Sequence, residues 1–389
     1  MVRISQLART AGLALALAAI PIAGAVSPAA ATAPGGHVYI QTNAAAGNAI
    51  IAYDRAANGA LTHDETITTG GLGNAPTGLG SQGALAITED GDHLLAVNGG
   101  SDDVSLLDIS SSGLSVADVE SVGDRPVSVT VHGSIVYVLN QGSDTIQGLR
   151  IAGNNLVPIS HSVRPLSGTG VAAAQVAFGP DGRILAVTEK ATQTIDTYLV
   201  RPNGRAIGPD VQASSGATPF GFQFGPDGRL FVSEAPASAA SSYDVSPDGD
   251  LTVISASVTN HQVAACWLVV SSDGRFAYTA NAGSANVSEY TIASSGSLSL
   301  VGTGTNGATD PGPVDLDLSN GDDFLYVLNS GSGSITGFSV NAADGSLTNK
   351  GGASGFAAGA ARVDGGLVAE GEISAMIVDP TKALQDTAG

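Results

Sequence analysis

The sequence has few of the residues that form crosslinks or carry positive charge. It contains one cysteine, Cys266, among 389 residues, so no internal disulfide can form and stability must come from packing. A lone cysteine in such a chain is most often buried. Lysine and arginine number 15 against 35 acidic residues, which gives a formal net charge of −20. A surface this acidic repels nucleic acid and anionic lipid head groups, so we expect neither as a partner.

Long apolar runs are also absent, except at the N-terminus. Residues 1–31 begin with Arg3 and Arg9, continue with an apolar stretch at 11–26 and end in three alanines. This order is typical of a secretory signal peptide. An uncleaved anchor is the alternative, but the stretch is shorter than the ~20 residues that a spanning helix needs. We expect cleavage after Ala31, which removes two arginines and no acid from the −20 chain. The mature protein would then be secreted, extracellular or periplasmic, without a membrane segment.

The remaining sequence repeats one phrase. Four copies read "SIVYVLNQGSDTI" from 134, "RILAVTEKATQTI" from 183, "RFAYTANAGSANV" from 275 and "DFLYVLNSGSGSI" from 323. One position of the phrase recurs seven times along the chain, at Asn43, Asn98, Asn140, Glu189, Glu234, Asn281 and Asn329. Glycine turns such as "PDG" and "SDG" flank most copies, and apolar residues alternate between the turns. This pattern indicates antiparallel strands joined by tight hairpins.

Four antiparallel strands repeated about every 40–50 residues form the blade of a β-propeller. We therefore predict an all-β fold, a monomeric seven-bladed β-propeller over residues 36–380, with a disordered tail at 381–389. The first copy has no strand before it, whereas "EISAMIVDP" from Glu372 resembles the inner strands of the other blades. We predict that this C-terminal strand joins the first blade and closes the ring.

The predicted topology indicates which residues meet at one end of the channel. Loops after the second strands and crossovers into the inner strands share one face, called the upper face, and the Asp-Gly hairpins lie on the lower face. Glu189 and Glu234 end second strands in adjacent blades, and two nearby carboxylates raise each other's proton affinity, as a general acid or base requires. We predict Glu234, Glu189 and His261 as catalytic residues. The predicted substrate-binding residues come from the crossovers and inner strands: Arg125, Gln175, Phe220 and Trp267.

Each of these residues also has a structural interpretation. The repeated asparagine suits an Asx turn, and a glutamate there could do the same or point into water. Phe220 and Trp267 could pack between blades, and His261 could be structural. The acidic stretches "GGSDDVS" from 99 and "NGDDFL" from 320 lack the alternating ligand spacing of a calcium loop. We therefore predict no metal and no cofactor.

The phrases "YVLNQGSDTI" and "YVLNSGSGSI", together with the Asp-Gly hairpins, resemble the lactonase-type seven-bladed propellers. That family includes bacterial 6-phosphogluconolactonases and fungal 3-carboxy-cis,cis-muconate cyclases, and the resemblance covers about residues 36–380. It implies that a small-molecule lactone is hydrolysed or formed at the channel mouth. It also implies that Gln175 stands where the enzymes carry a histidine, Phe220 where they carry an arginine, and Glu234 where they carry a glutamate.

Two functions follow from the sequence. The first is an exported lactonase-like enzyme, in which Glu189, Glu234 and His261 should converge at the channel mouth. The second is a non-catalytic extracellular propeller that binds a ligand or protein, in which these side chains should be splayed or hydrogen-bonded into loops.

Overall fold

The computed structural model describes residues 34–76, 78–355 and 375–379. Regular structure in these ranges is β-strand throughout, arranged in seven antiparallel sheets. No helix long and apolar enough to cross a bilayer occurs in these ranges. The predicted signal peptide at 1–31 and tail at 381–389 lie outside the described residues and stay predictions.

Each sheet is one blade, and the blades are numbered along the chain. Blade 1 contains β1 (Pro34–Gln41), β2 (Ala49–Ala56), β3 (Leu61–Thr68) and the C-terminal β30 (Ala375–Asp379). Blade 2 contains β4 (Leu85–Ile87), β5 (His93–Asn98), β6 (Asp103–Ser110) and β7 (Gly113–Ser121). Blade 3 contains β8 (Pro126–His132), β9 (Ile135–Asn140), β10 (Thr145–Ile151), β11 (Leu156–Pro158) and the short β12 (Arg164–Pro165).

The second half of the ring has the same order. Blade 4 contains β13 (Ala173–Phe178), β14 (Ile184–Glu189), β15 (Thr194–Val200) and β16 (Ala206–Ala213). Blade 5 contains β17 (Pro219–Phe224), β18 (Leu230–Glu234), β19 (Ala239–Val245) and β20 (Leu251–Thr259). Blade 6 contains β21 (Ala265–Val270), β22 (Phe276–Asn281), β23 (Asn286–Ile292), β24 (Leu298–Leu300) and β25 (Gly307–Ala308). Blade 7 contains β26 (Pro313–Leu318), β27 (Phe324–Asn329), β28 (Ser334–Val340) and β29 (Leu347–Ser354).

The ring closes as the sequence predicts. β30 pairs antiparallel with β1, with Val38 opposite Val378 and Ile40 opposite Met376. The C-terminal strand therefore supplies the inner strand of blade 1, and β1 becomes the second strand of a four-stranded sheet. The seven-bladed fold and its closure by a C-terminal strand are confirmed.

Tyrosines in the second strands join neighbouring blades. The hydroxyl groups of Tyr137, Tyr278 and Tyr326 donate hydrogen bonds of 2.7–2.8 Å to carbonyl oxygens of Gly204, Gly345 and Gly59. Each glycine lies in the outer hairpin of the next blade, and all three tyrosines are fully buried. The Tyr326–Gly59 bond joins blade 7 to blade 1, so it adds to the closure made by β30. A buried hydroxyl needs such a partner, and the repeat provides one at the same place in three blades.

The central channel is crossed by the residues that lead into β4. Gln82 donates from its side chain to the Leu268 carbonyl (2.8 Å) and accepts from the Leu268 amide (3.0 Å), in blade 6. Its own amide donates to the Ala174 carbonyl of blade 4, and the Ser81 hydroxyl donates to the Val127 carbonyl of blade 3. Residues 78–84, called the plug segment, lead into blade 2 and therefore join it to blades 3, 4 and 6 at the channel axis. The plug segment is therefore held against the inner strands by hydrogen bonds from both side chains and backbone.

Candidate functional site

The repeated position, which is asparagine in five blades and glutamate in blades 4 and 5, is buried in every blade. All seven residues at this position are fully buried. Three of the amides donate from Nδ2 to a hydroxyl seven residues later, in the third strand: Asn98 to Ser105, Asn281 to Ser288 and Asn329 to Thr336, at 2.8–2.9 Å. The position therefore fixes the second strand to the third beneath the upper loops.

Glu189 keeps this structural place but reverses the direction of the hydrogen bonds. Its carboxylate accepts from the Ser167 amide at 3.0 Å, from the Ser167 hydroxyl, and from the hydroxyls of Thr192 and Thr194 at 2.6 and 2.9 Å. Burial alone would raise the pKa of Glu189, but the hydrogen bonds from Ser167 and Thr192 outweigh it and hold this pKa below the ordinary value. Glu189 is thus an ionised acceptor enclosed by its own loop.

Asp196 lies seven residues after Glu189 and places a second buried carboxyl group beside it. It takes the place of the hydroxyl residue in other blades and is fully buried. Burial, together with the Glu189 carboxylate beside it, raises the pKa of Asp196 to about 8. Neither carboxyl oxygen of Asp196 has a hydrogen-bond donor among the described residues, so a proton on Asp196 avoids the repulsion of two ionised carboxylates in a low dielectric. The pair therefore keeps one proton at neutral pH.

Glu234 of blade 5 is enclosed in the same way. It accepts hydrogen bonds from the hydroxyls of Ser241 and Ser257, and Gly216 lies directly against its carboxylate. A Cβ atom on Gly216 would come within 1.9 Å of Oε2, so only glycine fits beside this side chain. The sequence correctly indicates that asparagine and glutamate side chains occupy equivalent positions in different blades. It does not show that these side chains are buried from solvent.

Glu189, Glu234 and His261 each have their own hydrogen-bond partners. Among the described residues, no hydrogen bond or ion pair joins Glu189 to Glu234 or either of them to His261. His261 is exposed on the crossover before β21, with a left-handed φ of 60°. The catalytic role of these three residues stays a prediction. The hydrogen bonding of the Glu189 and Glu234 side chains into loops is the arrangement expected of a binding propeller.

The residue after Glu189 faces the channel instead. Nζ of Lys190 donates to the Gly80 carbonyl of the plug segment and lies 4.8 Å from the centroid of the Phe220 ring. Burial, with the nearby Arg125 charge acting in the same direction, lowers the pKa of Lys190 to about 8. The side chain is half-buried, so the amine is held by the protein and still reachable from the upper face. Sequence reasoning missed Lys190, although it is one of only three lysines in the chain.

Arg125 reaches the same segment from blade 3. Its Nη2 donates to the Gly78 carbonyl at 3.2 Å, two residues from the carbonyl that binds Lys190. Arg125 has φ of 51°, a left-handed conformation that costs about 1–3 kcal/mol for a residue with a side chain. Its backbone amide is fixed by Asp102 at 2.8 Å. The crossover therefore positions a permanent cation beside an amine that can lose its proton.

Two aromatic rings form the adjoining wall. Phe220 and Trp267 contact edge to face with centroids 5.1 Å apart, and Trp267 Nε1 donates to the Ser81 carbonyl at 2.8 Å. Cys266 is buried beside them, as predicted, and burial raises the pKa of its thiol to about 11. The thiol is therefore neutral at physiological pH and is a poor nucleophile. The structure thus brings Arg125, Phe220 and Trp267 together around Lys190.

Gln175 is occupied by the neighbouring blade. It donates to the Phe222 carbonyl at 2.9 Å and accepts from the Phe222 amide at 2.7 Å. This two-way bond joins the inner strands of blades 4 and 5, in the manner of Gln82 with blade 6. A structural role accounts for both polar atoms of this side chain.

One group of ligand atoms could hold a divalent cation. Side-chain atoms of His37, Asp54 and Asp64 lie within 4.8 Å of one another on the three N-terminal strands of blade 1. Asp64 is exposed and Asp54 is partly exposed. None of the three belongs to the residues around Lys190.

The comparisons with known proteins agree with this architecture. Residues 32–164 and 175–359 match the family model described as "Lactonase, 7-bladed beta-propeller". No curated protein matches the sequence. A putative 6-phosphogluconolactonase from Bacteroides fragilis is 19% identical, with a TM-score of 0.67 over 90% of this chain and 99% of that chain. A periplasmic gluconolactonase from Pseudomonas aeruginosa is 18% identical, with a TM-score of 0.69 over 89% and 99%.

A Lactobacillus plantarum protein of solved structure is 19% identical, with a TM-score of 0.70 over 88% of this chain and 99% of that chain. At these identities the solved structures support the fold alone. The family model covers most of the sequence and matches strands of every blade, while β30 lies beyond the matched residues. The chain belongs to the lactonase family of seven-bladed β-propellers.

Proposed function

We propose that the protein hydrolyses a small-molecule lactone at the upper mouth of the channel, with Lys190 as the general base. The observation that supports this most strongly is the convergence of Lys190, Arg125, Phe220 and Trp267 on the plug segment. Family membership supports the same substrate class.

The proposed chemistry uses the two cations differently. Neutral Lys190 takes a proton from water as the water oxygen bonds to the lactone carbonyl carbon. Arg125 stabilises the negative charge that develops on the carbonyl oxygen, because its guanidinium stays charged at every relevant pH. The ring C–O bond then breaks, and the leaving oxygen takes the proton back from Lys190. The product is the open hydroxy acid, and no further reactant is needed.

The aromatic wall and the plug segment give the site its shape. Phe220 and Trp267 are at most 8% exposed, so they pack behind Lys190 and leave only a narrow apolar edge to a bound lactone. The plug segment forms the base of the site through the Gly78 and Gly80 carbonyls. With Lys190 neutral, the charge of Arg125 favours a neutral or singly anionic substrate. We also propose export of the mature chain, on the residues 1–31 pattern and the periplasmic gluconolactonase of similar fold.

Replacing the amine should abolish the chemistry. Lys190→Met keeps the side-chain length but cannot accept a proton, so we expect kcat/KM on the best lactone to fall about 10²-fold or more. Hydrolysis of a panel of sugar, phosphosugar and aliphatic lactones is measured by proton release. Lys350→Met, an exposed change on β29, is the matched control and should leave turnover intact.

The Glu234→Gln variant distinguishes Lys190 as the general base from Glu234, the catalytic residue predicted from the sequence. If Glu234 only accepts hydroxyl hydrogen bonds, the variant should lose stability and keep its turnover once folded. Loss of turnover in a folded Glu234→Gln protein, with activity retained by Lys190→Met, would transfer the acid–base role to Glu234.

A binding protein without catalysis is the second candidate. The enclosure of Glu189 and Glu234 in their loops favours it. In that case the folded wild-type protein hydrolyses no lactone in the panel.

A further inference from the structure

A second cavity lies on the lower face, between blades 4 and 5. It measures about 420 Å³ and is lined by the "GPDGR" hairpins of both blades and by the "SPDG" hairpin of blade 5. This volume falls within the roughly 300–1,000 Å³ typical of small-molecule sites. Its lining includes neither Lys190 nor the residues around it, so it is not part of the proposed lactone site.

The hairpin glycines differ in how closely the neighbouring blade approaches them. A Cβ on Gly182, in the blade 4 hairpin, would meet His132 of blade 3 at 2.1 Å, and one on Gly274 would meet Pro226 at 3.1 Å. At Gly228, as at Gly133 and Gly321, nothing lies within 4 Å. The blade 4 hairpin therefore leaves open space beside Gly228, and the cavity includes this space.

The floor and rim of the cavity are apolar rings. Phe224 is half-buried at its base and contacts Phe222 edge to face. Pro180, Pro226 and Pro247 are exposed around it. The flat aromatic ring of Phe224 and the C–H surfaces of the prolines suit the C–H face of a sugar ring.

The polar groups of the cavity are paired and close to neutral overall. Arg229 contacts Asp227 at 2.5 Å and Asp244 at 3.0 Å, so its charge is already compensated. Asp181 and Arg183 add one charge of each sign. A site with no excess positive charge, in a chain of net charge −20, does not attract anions. Carboxylate and guanidinium groups side by side instead match hydroxyl groups, which both donate and accept hydrogen bonds.

From the cavity, its apolar rings and its compensated charges we propose that the lower face binds a neutral sugar ring. Phe224 and the prolines contact its C–H face, while Arg183 and Asp181 bind its hydroxyl groups. The site would attach the protein to a glycan or bind a free saccharide while the upper mouth stays open.

Saturation-transfer NMR on the purified full chain tests this proposal. The probes are glucose, galactose, N-acetylglucosamine, cellobiose and diacetylchitobiose, with succinate and citrate as anionic probes. We expect transfer to the ring C–H protons of at least one sugar and none to citrate. Arg183→Ala should weaken binding about tenfold, as expected for losing hydrogen bonds to a charged group. Arg201→Ala removes an exposed arginine of the same blade outside the cavity and should leave binding unchanged.

Two further readouts separate this site from the upper mouth. Lys190→Met should bind the same sugar as the wild type does, and Arg183→Ala should retain any lactone hydrolysis. The proposal is overturned if no sugar binds, if only the anionic probes bind, or if Lys190→Met rather than Arg183→Ala removes sugar binding.

Discussion

Deletion of the C-terminal strand is expected to unfold the whole ring, not to trim it. β30 is the inner strand of blade 1, and Val38, Tyr39 and Ile40 on β1 are at most 1% exposed beneath it. Without β30 the backbone groups of β1 lose their partners at the channel, at about 1–3 kcal/mol for each buried group left unsatisfied. Several such groups add up to the 5–15 kcal/mol of a typical native protein.

The measurement is thermal unfolding followed by circular dichroism on two truncated chains. Truncation after residue 371 removes β30, and we expect it to lose the cooperative transition. Truncation after residue 380 removes only the tail and is the matched control, which should melt as the full chain does. A chain without β30 that melts at the wild-type temperature would contradict the closure.

Stability should fall as pH rises towards 8 because of one buried carboxyl group. Asp196 titrates near 4 in an unfolded chain and at about 8 in the fold, since burial and then the Glu189 carboxylate raise its pKa. Between these values the native state holds a proton that the unfolded state has lost, so the free energy of unfolding decreases with pH. The contribution is fully present below pH 4 and lost by about pH 8. It amounts to about 5 kcal/mol at most.

Asp196→Asn tests this directly. The amide can donate to Glu189 at every pH and does not titrate, so the variant should be more stable than the wild type at pH 9 by a few kcal/mol, about 1–5. Its stability should also depend less on pH between 5 and 8, as measured by urea unfolding across that range. Asp248→Asn makes the same chemical change at an exposed hairpin position of blade 5 and should leave the slope unchanged. Parallel profiles for the wild type and Asp196→Asn would show that Asp196 is not protonated in the fold.

Part of the decrease in unfolding free energy with pH should remain in the Asp196→Asn variant. Burial, and to a smaller extent Asp344, raise the pKa of the fully buried Glu289 to about 7. Glu289 follows the same sign as Asp196, because its proton is also held more tightly in the folded state.

The fold could be predicted from sequence because each blade repeats the same local chemistry. Hairpin glycines and the buried tyrosines recur at fixed offsets, and an orphan strand at the C-terminus matches a missing strand at the first copy. The plug segment could not be predicted in this way. Ser81 and Gln82 occur once, and their partners in blades 3, 4 and 6 are separated from them by 46 to 186 residues.

The candidate site was predictable only in part. Arg125, Phe220 and Trp267 meet because every crossover enters the same end of the channel, which topology alone indicates. Glu189 attracted attention as an exception to the asparagine pattern, but that position points into the blade and is filled by loop hydroxyls. Lys190 is the next residue, and its side chain therefore turns towards the channel. Alternation along a strand carries this information, but only once the buried role of position 189 is known.

The pH dependence of lactone hydrolysis tests the central claim most directly. A general base with a pKa of about 8 must be neutral to act, so kcat/KM of the wild-type protein should rise up to about pH 8 and level off above it. Lys190→Arg keeps the positive charge but cannot lose it, so this variant should be inactive across the same range. A wild-type profile that is flat from pH 6 to 9, or a Lys190→Arg variant that retains the wild-type rate, would contradict the assignment of Lys190 as the base.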